Sequence, residues 1–253
     1  MSLEGKVALV TGGSRGIGKA CCVKLAKEGA DVIVNYYNSP KKAGEVVERI
    51  KTFGRKAISI KADMGNVKEV LTMFDKSLEE FKRIDILVNN AAVCKFSKLF
   101  DITEKLWDKT QNTNIKGHFF LSQTVAKQMI DKKIKGRIIT ISSISAWVGE
   151  LEQAHYCTTK AAGSNLMKSL AVILGPYGIT CNAVLPGIIE TDMTRKELSD
   201  PEYHKMIVGQ IPAGEVGQPE DVAAAVAFFA TDEAKYINGA DLLVDGGTFV
   251  TPL

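Results

Sequence analysis

Tyr156 and Lys160 stand four residues apart in the run ITISSISAWVGELEQAHYCTTKA, and Ser143 precedes the tyrosine by thirteen. On a helix, residues at that spacing share a face one turn apart. A phenol with an unperturbed pKa of about 10 is a poor base near neutrality, but a fixed ammonium a few ångströms away favours its phenolate. Ser143 follows the apolar run 137–141, which reads as a buried strand, so its hydroxyl is expected at a strand's carboxyl end. Open α/β sheets collect ligands there. The three residues therefore predict a proton-transfer site. A Tyr-x-x-x-Lys pair taken alone describes a solvated helix face equally well.

Such a site needs a scaffold, and the first fifth of the chain offers one. The apolar run 6–10 enters Thr11-Gly12-Gly13-Ser14-Arg15-Gly16-Ile17-Gly18, and a helical pattern follows through Ile17, Cys21, Leu25 and Ala26. Strand, glycine loop and helix start form the context of a phosphate-binding turn. Glycines let the backbone approach a pyrophosphate closely, and the helix start offers free N–H groups and a positive dipole end. An ordinary tight turn is the alternative. The second strand, 31–35, ends in Asn35-Tyr36-Tyr37-Asn38 with no carboxylate for a ribose 2′-hydroxyl, while Arg15 and Lys41-Lys42 lie near. That combination favours NADP and still admits NAD. Arg15 could also be only a solvated loop charge.

A third strand, 56–61, delivers Asp63, either to an adenine edge or as a helix cap before Asn66. The strand 84–89 leads to Asn90-Ala91-Ala92, small enough for backbone to pass close to a cofactor or for tight helix packing. Asn114 sits among the apolar positions of the amphipathic stretch 103–130. An asparagine inside a helix needs a reason: its amide either plugs a backbone gap or holds a water in a proton relay. A sixth strand, 180–185, breaks at Pro186-Gly187. Residues 188–217 show no strand of their own and read as a segment covering the ligand or as plain surface. Strands beginning near residues 6, 31, 56, 84, 136, 180 and 241 alternate with helical patterns. That alternation predicts one domain over residues 1–253, a Rossmann-type, doubly wound α/β fold with a parallel sheet of about seven strands and helices on both faces.

Composition bounds the partners. With 32 basic and 29 acidic residues the chain carries +3 and has no long basic run, so neither nucleic acid nor an anionic membrane is expected. Hydrophobic residues make up 45%, enough for a sizeable core, yet the longest apolar run, 222–230, is far too short to span a bilayer. No charged-then-apolar leader opens the sequence. The five cysteines are scattered, without a CxxC pair, and read as reduced thiols of a cytoplasmic protein; no metal site is expected.

These motifs together resemble the short-chain dehydrogenase/reductase family over essentially the full length: Thr11-Gly12-x-x-x-Gly16-x-Gly18, Asn89-Asn90-Ala91, Asn114, Ser143 with Tyr156-x-x-x-Lys160, and Pro186-Gly187-x-x-x-Thr191. Ala92 departs from the family's usual glycine by one methyl group. The resemblance implies that Tyr156 is the acid/base, that Lys160 lowers its pKa and holds the nicotinamide ribose, and that Ser143 binds the reacting oxygen. It implies that Asn114 carries a water linking Lys160 to solvent. It implies a cofactor site formed by Gly12, Ser14, Arg15, Gly16, Ile17, Gly18, Asn35, Tyr36, Asp63, Met64, Asn90, Ala91, Tyr156, Lys160, Pro186, Gly187, Ile189 and Thr191. Family members are commonly homotetramers, with the helix around residues 166–174 and the last strand as candidate interfaces.

Within the family, EQAHYCTTKA from Glu152, CNAVLPGIIETDM from Cys181 and GADLLVDGGTFV from Gly239 resemble L-rhamnose 1-dehydrogenases and related aldose dehydrogenases more than 3-oxoacyl carrier-protein reductases. That implies a small sugar as substrate, oxidised at its anomeric hydroxyl to the lactone. Ser143, Ser145, Trp147, Gln153, Tyr156 and Thr191 are the expected substrate contacts, with Glu152 and His155 beside them. The alternatives are a 3-oxoacyl thioester or other carbonyl reductase with the same catalytic residues, and a dinucleotide-sensing protein without catalysis.

Overall fold

The computed structural model describes residues 2–250. Short β-branched runs form the strands β1 (Val7–Val10), β2 (Asp31–Tyr36), β3 (Ala57–Lys61), β4 (Ile86–Asn89), β5 (Arg137–Ile141), β6 (Thr180–Pro186) and β7 (Asp241–Val244). They pair as one parallel sheet in the order β3-β2-β1-β4-β5-β6-β7. β1, β4, β5 and β6 are buried along their whole length. Strands covered on both faces favour apolar residues on both, which is why these are predominantly hydrophobic with few polar positions.

The helices are α1 (Gly16–Lys27), α2 (Pro40–Lys51), α3 (Val67–Phe81), α4 (Glu104–Gln111), α5 (Gly117–Asp131), α6 (Ala154–Leu174), α7 (Arg195–Leu198), α8 (Pro201–Gln210) and α9 (Pro219–Ala230). The two-residue period of a strand divides the core between them. Ala8 and Val10 of β1 join Leu25, Val46 and Val226 on one face, whereas Val7 and Leu9 join Met73, Leu121 and Met167 on the other. Between β1 and β4 the chain's progress across the sheet reverses. A crevice opens at such a switch point, outside the strands' carboxyl ends.

Two local features shape what stands at that crevice. The stretch expected as one amphipathic helix from 103 to 130 is interrupted by a π turn, Asn112–Lys116, between α4 and α5. Gly117 starts α5 so close to β3's exit that a Cβ there would lie 1.9 Å from the Met64 carbonyl oxygen. The segment 188–217 contains α7 and α8 rather than irregular chain, with a small core of Ile207, Ile211 and Val216. A parallel bridge between Ile189 and Gly217 closes its base.

Candidate active site

α6 brings the reactive side chains together because it is tied to β5 at two points. Ser142 Oγ donates to the Lys160 carbonyl at 2.8 Å, and Lys160 Nζ donates to the Ile141 carbonyl at 2.8 Å. The same ammonium stands 5.3 Å from the centroid of the Tyr156 ring. Ser143, at the strand's exit, accepts from the Ser145 N–H and donates to Ser145 Oγ, both at 3.1 Å. Ser143, Ser145, Tyr156 and Lys160 all line one cavity of about 670 Å³ at the crevice.

Asn114 stands behind that cavity and not in its wall. Its carboxamide oxygen accepts from the Val93 N–H at 2.8 Å, and its nitrogen donates to the Val93 carbonyl at 2.9 Å and to Thr159 Oγ1 at 3.2 Å. The amide therefore plugs a backbone gap, the first of the two roles its sequence position allows. Thr159 in turn donates to the Tyr156 carbonyl at 2.7 Å, so this chain of bonds braces the tyrosine's own turn of helix. π turns recur at functional sites, and here the insertion is what aims Asn114 at Val93.

The electrostatics differ from the simple picture of an ammonium depressing a phenol. Tyr156 is half-buried, open to the cavity and enclosed elsewhere, and that enclosure pushes its phenol well above the usual range; Cys94 and Cys157 add to the rise and the Ser143 hydroxyl opposes it. Burial also pushes Lys160 down, to about 8. Desolvation disfavours the charged form of each group, so in the protein by itself both drift towards neutrality and the expected depression of Tyr156 is absent. Cys94, which also lines the cavity, is pushed up to about 11 by burial and stays a thiol.

The opposite end of the cavity fits a dinucleotide. The start of α1 carries no acidic residue in its first turn and no side-chain cap, so its leading N–H groups have no side chain to satisfy them. Gly12 and Gly16 adopt positive φ, +63° and +50°. A Cβ on Gly18 would lie 2.3 Å from the Gly12 carbonyl oxygen and 2.5 Å from Asn90 Nδ2. Backbone therefore passes where a side chain cannot, and the uncapped helix start faces the cavity as a pyrophosphate requires. Gly18→Ala is expected to weaken NADP+ binding at least tenfold and to lower stability by ~1–3 kcal/mol through overpacking, read by calorimetric titration and thermal melting. Asn90 Nδ2 donates to the Thr11 carbonyl at 2.8 Å, fixing the loop from the β4 side.

Most of the expected contacts meet at this cavity: Gly12, Ser14, Arg15, Gly16, Ile17, Gly18, Asn35, Asp63, Met64, Asn90, Ala91, Pro186, Gly187, Ile189 and Thr191, with Gln153 at the substrate end. Tyr36 is placed differently. It packs against the core under β2, and the next two residues, Tyr37 and Asn38, line the cavity instead. Alternation along β2 puts Tyr36 on the same face as Val32 and Val34, with Asn35 on the other. Trp147 is exposed, packs edge-on against Phe249 with ring centroids 5.0 Å apart, and does not line the cavity. Glu152 and His155 also stay out of its wall, and His155 is fully buried in the first turn of α6.

Asn35 faces the cavity but serves the loop. It accepts from the Gly12 N–H at 3.0 Å and donates to the Ala62 carbonyl at 3.2 Å. Asp63 accepts from the Gly65 N–H at 2.8 Å and pairs with Lys109 at 3.2 Å, while Asn66 caps α3. Glu150, Cys94, Phe96 and Asp192 also form the wall. Sequence reasoning missed them because loop residues carry no periodicity; only their closeness to Tyr156, Asn90 or Thr191 along the chain was available as a signal.

Comparison with known proteins agrees with this geometry. A sequence profile described as Enoyl-(Acyl carrier protein) reductase matches residues 12–248. An L-rhamnose 1-dehydrogenase (NAD(P)(+)) of Azotobacter vinelandii is 43% identical over 99% of this chain and 99% of its own. A 3-oxoacyl-[acyl-carrier-protein] reductase of Staphylococcus aureus is 43% identical over 97% of this chain and 98% of its own. A short chain dehydrogenase of Burkholderia cenocepacia, solved in complex with NADP, superposes with a TM-score of 0.91 at 38% identity, covering 98% of this chain and all of that one. Likeness that runs from the glycine loop to the last strand, on a sheet of the same topology, places this chain in the short-chain dehydrogenase/reductase family of NAD(P)-dependent oxidoreductases.

Proposed function

We propose that the protein oxidises the anomeric hydroxyl of an aldose, with L-rhamnose as the first candidate, to the corresponding lactone, using NADP in preference to NAD. The observation that carries this reading is the meeting of Tyr156, Ser143 and the α1 glycine loop in one cavity. The sugar assignment draws on the full-length similarity to L-rhamnose 1-dehydrogenases and on the cavity's substrate end. There Ser143, Ser145, Glu150 and Gln153 offer hydroxyl, carboxylate and carboxamide groups suited to a polyhydroxylated ring.

In this reading the Tyr156 phenolate takes the proton of the anomeric hydroxyl, and the Ser143 hydroxyl, steadied by the Ser145 N–H, turns its hydrogen towards the reacting oxygen. A nicotinamide cofactor held in this cavity would supply the hydride acceptor. Lys160 keeps the tyrosine's surroundings cationic below about pH 8, where its ammonium persists. The Asn114 amide is committed to Val93 and Thr159 and so braces the turn that carries Tyr156.

A reductase of 3-oxoacyl thioesters is the second reading, supported by the match over 97% of the chain to the Staphylococcus aureus protein. Steady-state assays separate the two. L-rhamnose, L-lyxose, L-mannose and D-glucose with NADP+ and NAD+ are compared with acetoacetyl thioesters and NADPH. The expected result is sugar oxidation with the highest kcat/KM for L-rhamnose; turnover of thioesters alone overturns it.

A further inference from the structure

Four charged groups meet where the segment 188–217 crosses the glycine loop. The Asp192 carboxylate lies 3.6 Å from Arg15 Nη1, 3.2 Å from Lys42 Nζ and 2.8 Å from Arg195 Nη1. Arg15 belongs to the loop before α1, Lys42 to the first turn of α2 just past β2, and Asp192 and Arg195 to the covering segment. The segment already rests on the loop, since a Cβ on Gly16 would stand 3.5 Å from Thr191 Cγ2. The hydrogen bond from Lys42, helped by the charges of Lys42, Arg195 and Arg15, holds the Asp192 carboxyl below its ordinary range, so it is ionised at any working pH.

The place matters because β2's end is where a cofactor's second ribose is recognised in this fold. A carboxylate there would accept from the ribose diol, but Asn35 is turned into the glycine loop and offers its oxygen to the Gly12 N–H. Of the basic groups at this end, Arg15 lines the cavity and Lys42 stands next to it across the shared Asp192 carboxylate. Carboxylate and phosphate oxygens compete for the same guanidinium and ammonium groups, and Asp192 now occupies both.

We propose that Asp192 is a specificity-determining residue: its carboxylate competes with a 2′-phosphate for Arg15 and Lys42, which narrows the preference for NADP over NAD. Displacement by the phosphate frees the covering segment from the loop, whereas NAD leaves the tie in place. The proposal rests on reading the cavity as an NAD(P) site. Arg15 and Lys42 are more than half exposed, at 56% and 53%, so solvent screens the pairs and the effect is one of several-fold.

Asp192→Asn keeps the side chain's shape and removes its charge. Calorimetric titration of the full chain with NADP+, NAD+, 2′,5′-ADP and 5′-AMP at low salt tests the idea. The variant is expected to bind NADP+ and 2′,5′-ADP about three- to tenfold more tightly than the wild type, with NAD+ and 5′-AMP within about twofold. The gain should shrink in high salt and in a Lys42→Ala background. Equal changes for all four ligands, or weaker binding of the phosphorylated pair, overturn the proposal alone. A wild-type protein that binds none of the four overturns the dinucleotide reading and the proposal with it.

Discussion

Tyr156→Phe is expected to lower kcat for sugar oxidation about 10³-fold while leaving dinucleotide affinity within a few-fold. The substitution removes one oxygen and keeps the ring that packs 5.3 Å from Lys160 Nζ, so the loss is of chemistry and not of packing. A thousandfold drop corresponds to ~4 kcal/mol of transition-state stabilisation, within the range of a single well-placed acid/base group. The pH profile gives a second readout. The base must be ionised, and burial holds the phenol above its usual range, so the wild-type rate rises with pH into the alkaline region. The phenylalanine variant should lose that rise and keep a flat residual rate. If it retains most of the wild-type turnover, the proton leaves by another group and the assigned role of Tyr156 is wrong.

How much of this was legible in the sequence depends on the kind of signal each residue carried. The seven strands and the glycine loop were readable because periodicity and glycine spacing are local, and each expected strand start lies within two residues of its place in the sheet. Ser143, Tyr156 and Lys160 could be brought together in thought because one strand–loop–helix unit holds all three. Asn114 could be singled out as odd, but the choice between plugging a gap and holding a water depended on Val93, a residue 21 positions away. The placements of Tyr36 and Trp147 were hidden for a different reason. Which of two neighbouring side chains enters a cavity is decided by strand register and loop path, and neither leaves a trace in composition. The phenol's raised pKa was equally hidden, because the sequence displays the ammonium four residues on but not the protein that encloses both groups.

Acid is expected to destabilise the fold through His118, whose contribution can be isolated by one substitution. The imidazole sits in the first turn of α5, 2% exposed, with neither ring nitrogen in a hydrogen bond of good geometry. Burial pushes its pKa down from 6.5 to about 3; the charge of Lys160 adds to the fall and the Ala91 backbone offsets a little of it. In the unfolded chain the same ring takes a proton near its ordinary value, so between pH 6.5 and pH 3 the unfolded state binds more protons and stability falls as pH falls. Each pH unit in that window costs about 1.4 kcal/mol, which makes roughly 2 kcal/mol at pH 5 from this residue. Above pH 6.5 both states hold a neutral ring and the effect disappears. His118→Leu keeps an apolar side chain of similar size in the same space and removes the titration. Urea unfolding at pH 7.5 and pH 5 should therefore show the variant gaining about 2 kcal/mol on the wild type between the two conditions. Other acid-sensitive groups are common to both proteins and cancel in that difference. Parallel stability curves for the two would mean that the protonated imidazole finds water or an acceptor without unfolding, and that α5 opens far more readily than its packing against β4 implies.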